Sequence, residues 1–509
     1  MIPDAPAADV AVIGAGPAGL AAALAAADGG CSVTLVDSAP SVGGQIYRQS
    51  IVPPASTRIS PAPARINSFH ATERLAPALQ RTARHPRIQH LATTTVWHAA
   101  PATPGFLLHL SSQHEPSSRT ERGQVVSGGA EVGEPAPGQA VPAVLRARAV
   151  VVATGATEFV LPFPGWDLPG VTTAGAAQAL LKSQGVTIGK RVLVAGSGPL
   201  LLPVAAGLAT AGVRVLAVLE ATRALTGLGR AVLTRAGHLA ASPGKLREAA
   251  GYAAVLARHR VPVRTGHAVI ACHGDDRVQR ATVARLDGQW RPVPGSRREL
   301  AVDAVHVSYG FSPALELARL LGCADTQHPA RPVVAVTHDE DQATSVAGVF
   351  AAGEVTGIGG AQVAELEGYL AGASAARYLG KLEPQAHTDQ AAALRARLGR
   401  ARRFAKLLDA AYPLRPGWLD WPSADTVVCR CEDVPWASIG QAVAAGAQDV
   451  RAVKGLTRCG MGYCQGRICG PVLQCAVAAT AGRPLADVGD LQARPIIAPV
   501  PLEVIANES

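Results

Sequence analysis

A short apolar run, Asp9-Val-Ala-Val-Ile13, leads directly into Gly14-Ala-Gly16-Pro17-Ala18-Gly19 and then into an Ala/Leu stretch that ends near Ala27. No other feature restricts the fold as tightly. A buried parallel strand, a glycine turn and a helix open a βαβ unit, whose helix N-terminus presents free N–H groups to a pyrophosphate. The glycines have separate tasks: Gly14 permits the tight turn, Gly16 lets phosphates approach the backbone, and Gly19 lets the helix lie against the strand. The next strand, Val33 to Val36, ends in Asp37, eighteen residues past Gly19, where a carboxylate can accept hydrogen bonds from adenosine ribose hydroxyls. Strand, loop, helix, strand and acid in this order read as a dinucleotide site.

The text after Asp37 favours FAD over NAD, because Gly43-Gly44-Gln45 supplies a second flexible segment that can line a flavin cavity. Thr154-Gly155 and Gly353-Glu354, each at the end of an apolar strand, fit the remaining contacts. They stand for a chain exit beside the cofactor and an acid near its ribityl and phosphate region. A second loop, Gly196-Ser-Gly198, followed by a strand ending in Glu220, repeats the geometry. Leu201 replaces its third glycine, so this pocket is left open between NAD(P), another adenine nucleotide and nothing. Glu220 disfavours a 2′-phosphate, while Arg223 keeps NADP possible.

Five of the nine cysteines crowd between Cys429 and Cys469. Cys429-x-Cys431 and Cys459-x4-Cys464 offer two thiolate pairs, 27 residues apart. Soft thiolates point to Zn²⁺ or an iron–sulfur cluster, and a flavin upstream would give a cluster an electron donor, which favours [2Fe-2S]. The candidate ligands are Cys429, Cys431, Cys459 and Cys464, with Cys469 as a substitute for Cys464. Cys31, Cys272, Cys323 and Cys475 read as core. No C-x-x-C accompanies either dinucleotide loop, which excludes a thiol relay as the main chemistry.

Aromatics make up only 4% of the 509 residues, so the core must be built from Ala, Val and Leu, as suits closely packed βαβ units. The net charge of +9 is spread over scattered arginines. Its one dense run, Arg395 to Lys406, reads as a solvated linker helix, and no nucleic-acid motif accompanies it. The N-terminus lacks the pattern of a secretory signal, and the long apolar stretch from Val192 to Leu219 is broken by glycine and proline, so a cytoplasmic chain without a transmembrane segment is expected. The expected fold is α/β, with two Rossmann-like dinucleotide-binding domains and a small helical C-terminal [2Fe-2S] domain. Residues 1–160 and 301–382 form the FAD-binding domain and 161–300 the second nucleotide domain, with a return to the first domain expected from Val302 to Gly310. A linker spans 383–424, the cysteine domain 425–490 and a tail 491–509. Segments 50–86 and 113–142 read as mixed helix and loop, and as an exposed insertion.

Gly14 to Gly19, Leu161-Pro-Phe-Pro-Gly165-Trp166, Thr173-Ala-Gly175-Ala-Ala-Gln178, Cys429-Arg-Cys431-Glu-Asp433 and Arg458-Cys-Gly-Met-Gly-Tyr-Cys-Gln-Gly-Arg467 together carry a resemblance. The chain resembles the family of opine oxidase alpha subunits, the flavoprotein B subunit of hydrogen cyanide synthase and the alpha subunits of D-hydroxyproline and related amino-acid dehydrogenases. The resemblance implies a thioredoxin/glutathione reductase-like flavoprotein fold. It also implies a C-terminal module like bacterioferritin-associated ferredoxin, with x4 in the last cysteine pair where that ferredoxin has x2. Where Glu354 stands the family pattern has Asp. The resemblance further implies an amine-oxidising partner, a beta flavoprotein subunit with a D-amino-acid-oxidase-like fold, and in some cases a small ferredoxin-like subunit. An additional FMN at the subunit interface and a quinone or protein electron acceptor follow from it too, the latter allowing a peripheral place at the inner membrane. The rival readings are a self-sufficient NAD(P)H:acceptor reductase and a nucleotide-binding scaffold with a vestigial flavin site.

Overall fold

A computed structural model describes residues 7–49, 77, 80–112, 143–223, 243–328, 331–491 and 494–506. The chain opens with β1 (Ala7–Ile13), α1 (Pro17–Asp28) and β2 (Val33–Val36), then β3 (Ile88–Leu91), β4 (Thr94–Pro101), β5 (Phe106–Ser112) and β6 (Val144–Val152). β3, β2, β1 and β6 run parallel in that order, and β5 and β4 extend the sheet as an antiparallel pair. Side-chain alternation sorts β1 between two cores. Val10 and Val12 pack with α1 on one face, while Ala11 and Ile13 pack with β4 and β5 on the other. The regions read as mixed loop and as an insertion lie largely outside the described residues.

β7 (Ala156–Glu158) leads through the Pro-rich crossover to β8 (Val171–Thr173), α2 (Ala174–Gln184), β9 (Arg191–Gly196), α3 (Leu201–Thr210) and β10 (Arg214–Glu220). Next come α4 (Pro243–Arg258), β11 (Val263–Thr265), the meander β12 (His267–His273), β13 (Arg280–Arg285) and β14 (Arg298–Ala301), and β15 (Ala304–Ser308). A second parallel sheet has the order β11-β10-β9-β15-β8. β15 pairs with β8 and β9, because its whole run is buried between them, and the chain leaves this sheet only after Ser308.

β16 (Phe311–Pro313) pairs with β7, so the two crossings between the sheets lie side by side. After α5 (Glu316–Leu320), β17 (Asp325–Gln327) and β18 (Val334–Val336), β19 (Val349–Ala351) joins β6 as the seventh strand of the first sheet. α6 (Ala361–Tyr378) then packs on α1 at very short range. A Cβ on Gly368 would stand 2.1 Å from the Ala18 carbonyl oxygen, and one on Gly372 would stand 2.2 Å from that of Ala22. Small residues on both helices are what allow this approach.

The basic run lies in α7 (Pro384–Ala411), and it is not simply solvated. Arg397, Arg400, Arg403 and Lys406 are exposed, but Arg395 pairs with Asp341, and Arg402 reaches Glu367 at 2.8 Å. Leu398 and Leu407 on the inner face are buried, so the helix is fastened to the body on one side. The C-terminal module follows: β20 (Val427–Cys429), β21 (Val434–Pro435), α8 (Trp436–Ala444), α9 (Val450–Thr457) and α10 (Gly470–Ala481). Its apolar residues share one continuous core with Leu193, Ala195, Ala217 and Leu219 of the second sheet and with the meander. Among the described residues no helix is long and apolar enough to cross a membrane.

Candidate functional site

At the first glycine loop, steric demand explains two glycines and open space explains a third. Gly14 has φ +104°, and a Cβ there would stand 2.3 Å from the Ala153 carbonyl oxygen. A Cβ on Gly19 would stand 1.7 Å from the Gly14 carbonyl oxygen. Gly16, at the N-cap of α1 with Pro17 and Ala18 opening the helix, has nothing nearer to its Cβ direction than Gly44 Cα at 4.0 Å. That is the cradle a pyrophosphate needs: unobstructed backbone at a helix N-terminus. Asp37 closes the loop, since its carboxylate accepts from the N–H groups of Ala15 and Ala39. Gly44 rests on Gly16, and the Gln45 side chain accepts from Arg48 at 2.9 Å.

The two other strand ends converge on the same edge. Thr154 Oγ1 donates to Ala314 O at 2.7 Å, and Gly155, with φ +76°, borders open space. Gly353 abuts the start of α1, where an added Cβ would meet that of Ala18 at 2.8 Å. Glu354 turns toward α6: it accepts from Gly360 N at 2.8 Å and Gly359 N at 3.2 Å, and burial raises its carboxyl to about 7, with Glu367 adding to the rise. The carboxylate nearest the Gly353 amide is Glu367, which accepts from Gly353 N at 2.9 Å and from Thr356 Oγ1 at 2.8 Å. Sequence reasoning misses Glu367 and its partner Arg402. The one signal for them is a charged residue on the apolar face of α6, among Val363, Leu366 and Leu370.

The second loop has the same architecture. A Cβ on Gly196 would stand 1.7 Å from Ser308 O, whereas Gly198 borders open space. Glu220 accepts from Gly198 N at 2.9 Å and Thr222 N at 2.8 Å, and burial lifts its carboxyl to about 7. Leu201 fills the core beneath α3 in the cluster that holds Val194 and Val218. Arg223 donates to Leu286 O at 2.8 Å, so its guanidinium is directed at the meander.

In the cysteine module the sulfurs of Cys429, Cys459 and Cys469 lie within 4.8 Å of one another, all buried, a group that can hold a metal ion. Cys469 thus stands in the buried trio where the sequence pattern puts Cys464 first. The physical reason is local. The turn from Gly460 to Gly466 swings Cys464 outward beside the exposed Cys431, and Cys469, as N-cap of α10, points back inward. Gly462 permits this path, because a Cβ there would stand 2.2 Å from that of Cys431. The thiols of Cys459 and Cys469 hold the ionisation of Cys429 well below the ordinary range, and the backbone amides of Gly460 and Glu432 add to the effect. Donating toward Cys429 and Cys459, the Cys469 thiol is pushed upward.

Residues 8–368 match the family described as Pyridine nucleotide-disulphide oxidoreductase, and 424–509 match the Sarcosine oxidase A3 domain. The chain belongs to the pyridine nucleotide-disulphide oxidoreductase family. Among its relatives, the A subunit of opine oxidase from Agrobacterium tumefaciens (strain Ach5) is 33% identical, over 98% of this chain and 91% of that protein. The HcnB subunit of hydrogen cyanide synthase from Pseudomonas protegens is 29% identical, over 96% of each. The crystal structure of L-proline dehydrogenase from P. horikoshii shares the fold at a TM-score of 0.65 and 19% identity, covering 99% of this chain and 80% of that one. This family member is a flavin-dependent oxidoreductase, and FAD is the flavin its first loop implies. It departs from a disulphide reductase in its thiols. Cys31, Cys272 and Cys323 are unpaired and lie in three separate cores.

Proposed function

We propose that the chain is the FAD- and [2Fe-2S]-containing electron-transfer subunit of a heteromeric dehydrogenase that oxidises an amino acid or opine on a partner flavoprotein. The observation that carries this reading is the buried thiol trio, with Cys431 and Cys464 on its outer side, packed into the core of the second nucleotide domain. A flavin takes two electrons and releases them singly, and an iron–sulfur cluster carries one at a time. Gly14 to Gly19 and Asp37 would hold the FAD phosphates and ribose, Gly44, Gln45, Thr154, Gly155 and Gly353 would line its path, and four of the five clustered thiols would hold the irons. The names of the opine oxidase and hydrogen cyanide synthase relatives, each one subunit of its enzyme, support a partner, and the amine chemistry would lie there. A quinone or protein would take the electrons.

Anaerobic purification tests this directly: mass identification of the flavin, iron and acid-labile sulfide analysis, and paramagnetic resonance after reduction. One FAD and two irons with two sulfides per chain are expected; zinc in their place ends the reading. The second glycine loop, folded and with Gly198 open, favours one alternative, an NAD(P)H:acceptor reductase. Rapid flavin bleaching by NADH without any partner would establish that alternative.

A further inference from the structure

From the strand end at Thr154 to the cysteine module the chain runs a well-clamped route. From Thr154-Gly155 it enters β7, whose end is held by Phe159 N–H donating to Gly310 O and by Tyr309 N–H donating to Phe159 O, both at 2.8 Å. The crossover that follows is buried at Phe159, Leu161, Phe163 and Trp166. It is bound to the meander, where Cys272 N–H donates to Pro164 O at 2.7 Å, and a Cβ on Gly165 would lie 2.2 Å from Cys272 O. Trp166 then touches the cysteine strand itself. Its Nε1 donates to Val427 O at 2.6 Å, two residues before Cys429. The Arg430 guanidinium, between the two thiols of the C-x-C, lies 4.8 Å from the Trp166 ring centroid and donates to Asp167 O at 2.9 Å. A guanidinium over an indole face is a favourable contact, and the buried indole N–H adds a directional one.

We propose that Trp166 and Arg430 form the joint that fixes the Cys429–Cys431 strand relative to the flavin-bearing strand ends, and so set the rate of electron transfer between the two centres. The inference rests on the function proposed above. The step is one electron leaving the reduced flavin and entering the oxidised cluster, with no bond made or broken. Both residues are positioning residues, each holding the thiol strand through backbone or ring contacts. Three contacts on one side of a five-residue segment leave it little freedom.

The test uses the full chain, purified anaerobically with its cofactors. Trp166→Phe keeps an aromatic ring and loses the N–H; Arg430→Met keeps the stem and loses the guanidinium. After laser-flash reduction of the flavin, each variant is expected to slow transfer to the cluster by about tenfold, because a supporting shell loosened by roughly 1 Å spoils a precise geometry. Flavin content, iron content and the cluster's g-values are expected to stay as in the parent, and the double variant is expected to be slower than either single one, because Trp166→Phe removes the bond to Val427 O while Arg430→Met removes the ring contact and the bond to Asp167 O. Amide hydrogen exchange across Val427 to Cys431 is expected to quicken in both. Parental transfer rates in both variants with full cofactor content, or unchanged exchange in that segment, overturn the proposal. Should the preparation contain no iron, the functional reading fails by itself, and the exchange measurement still decides the joint.

Discussion

Asp37 and Glu220 end equivalent strands and hold equivalent loops, the first through Ala15 N–H and the second through Gly198 N–H. Burial lifts Glu220 from an ordinary 4.5 to about 7, against the opposing pull of the Gly198 and Thr222 amides. An acid whose folded value is raised stabilises the fold below its unfolded value, and that contribution is lost as pH rises toward the folded one. Between pH 5 and 8 the parent is therefore expected to lose about 2 kcal/mol more stability than Glu220→Gln. Urea midpoints across that range check it, and parallel curves would contradict it. The thiols make a second residue-scale case. Cys429→Ser is expected to abolish iron binding, because Cys429 is central to the buried trio, while Cys475→Ser leaves iron content unchanged; elemental analysis decides.

At the scale of elements, close approach governs what can be changed. Gly19→Ala would force a Cβ to within 1.7 Å of the Gly14 carbonyl oxygen, so α1 must shift from the loop. FAD is expected to be lost on gel filtration while the second sheet stays folded, as flavin absorbance and circular dichroism would show. α6 and α7 meet through Arg402, whose guanidinium reaches the buried Glu367 at 2.8 Å. Arg402→Ala leaves that carboxylate, among the described residues, with Gly353 N and Thr356 Oγ1, and is expected to destabilise the fold by about 1–3 kcal/mol. Thermal melts with and without added FAD measure it. The helix-periodic arginines were legible as a helix, but which of them turn inward depended on Glu367 of α6 and Asp341 in the turn before β19.

Across the whole molecule, the cysteine module has no core that is its own. Val428, Cys429, Ile439, Val450 and Leu473 belong to the same apolar cluster as Trp166, Leu219, Val269 and Trp290. Polar ties add to this: Arg467 reaches Glu316 at 2.8 Å, and Arg319 bonds Asp490 and the Leu491 carbonyl. A chain ended at residue 424 would expose that apolar face and is expected to aggregate, which the soluble fraction and light scattering would reveal. Removing the metal by chelation is expected to lower the melting temperature of the second nucleotide domain along with that of the module, since ligand binding to one side of a shared core stabilises both.

Local chemistry was enough to recognise what depends on neighbours in the chain: the two strand–glycine–helix units, the acids that close them, and a thiol cluster in a chain with a flavin loop. These rest on steric rules and ligand softness, which act over a few residues. The pairing of β15 with β8 and β9, the choice of Cys469 for the buried trio, the inward turn of Arg395 and Arg402, and the meeting of Trp166 with Arg430 were decided only when distant segments packed together. Each depends on which surface fills the space beside it, and pairwise contact between residues as far apart as 166 and 430 leaves no periodic trace in the chain.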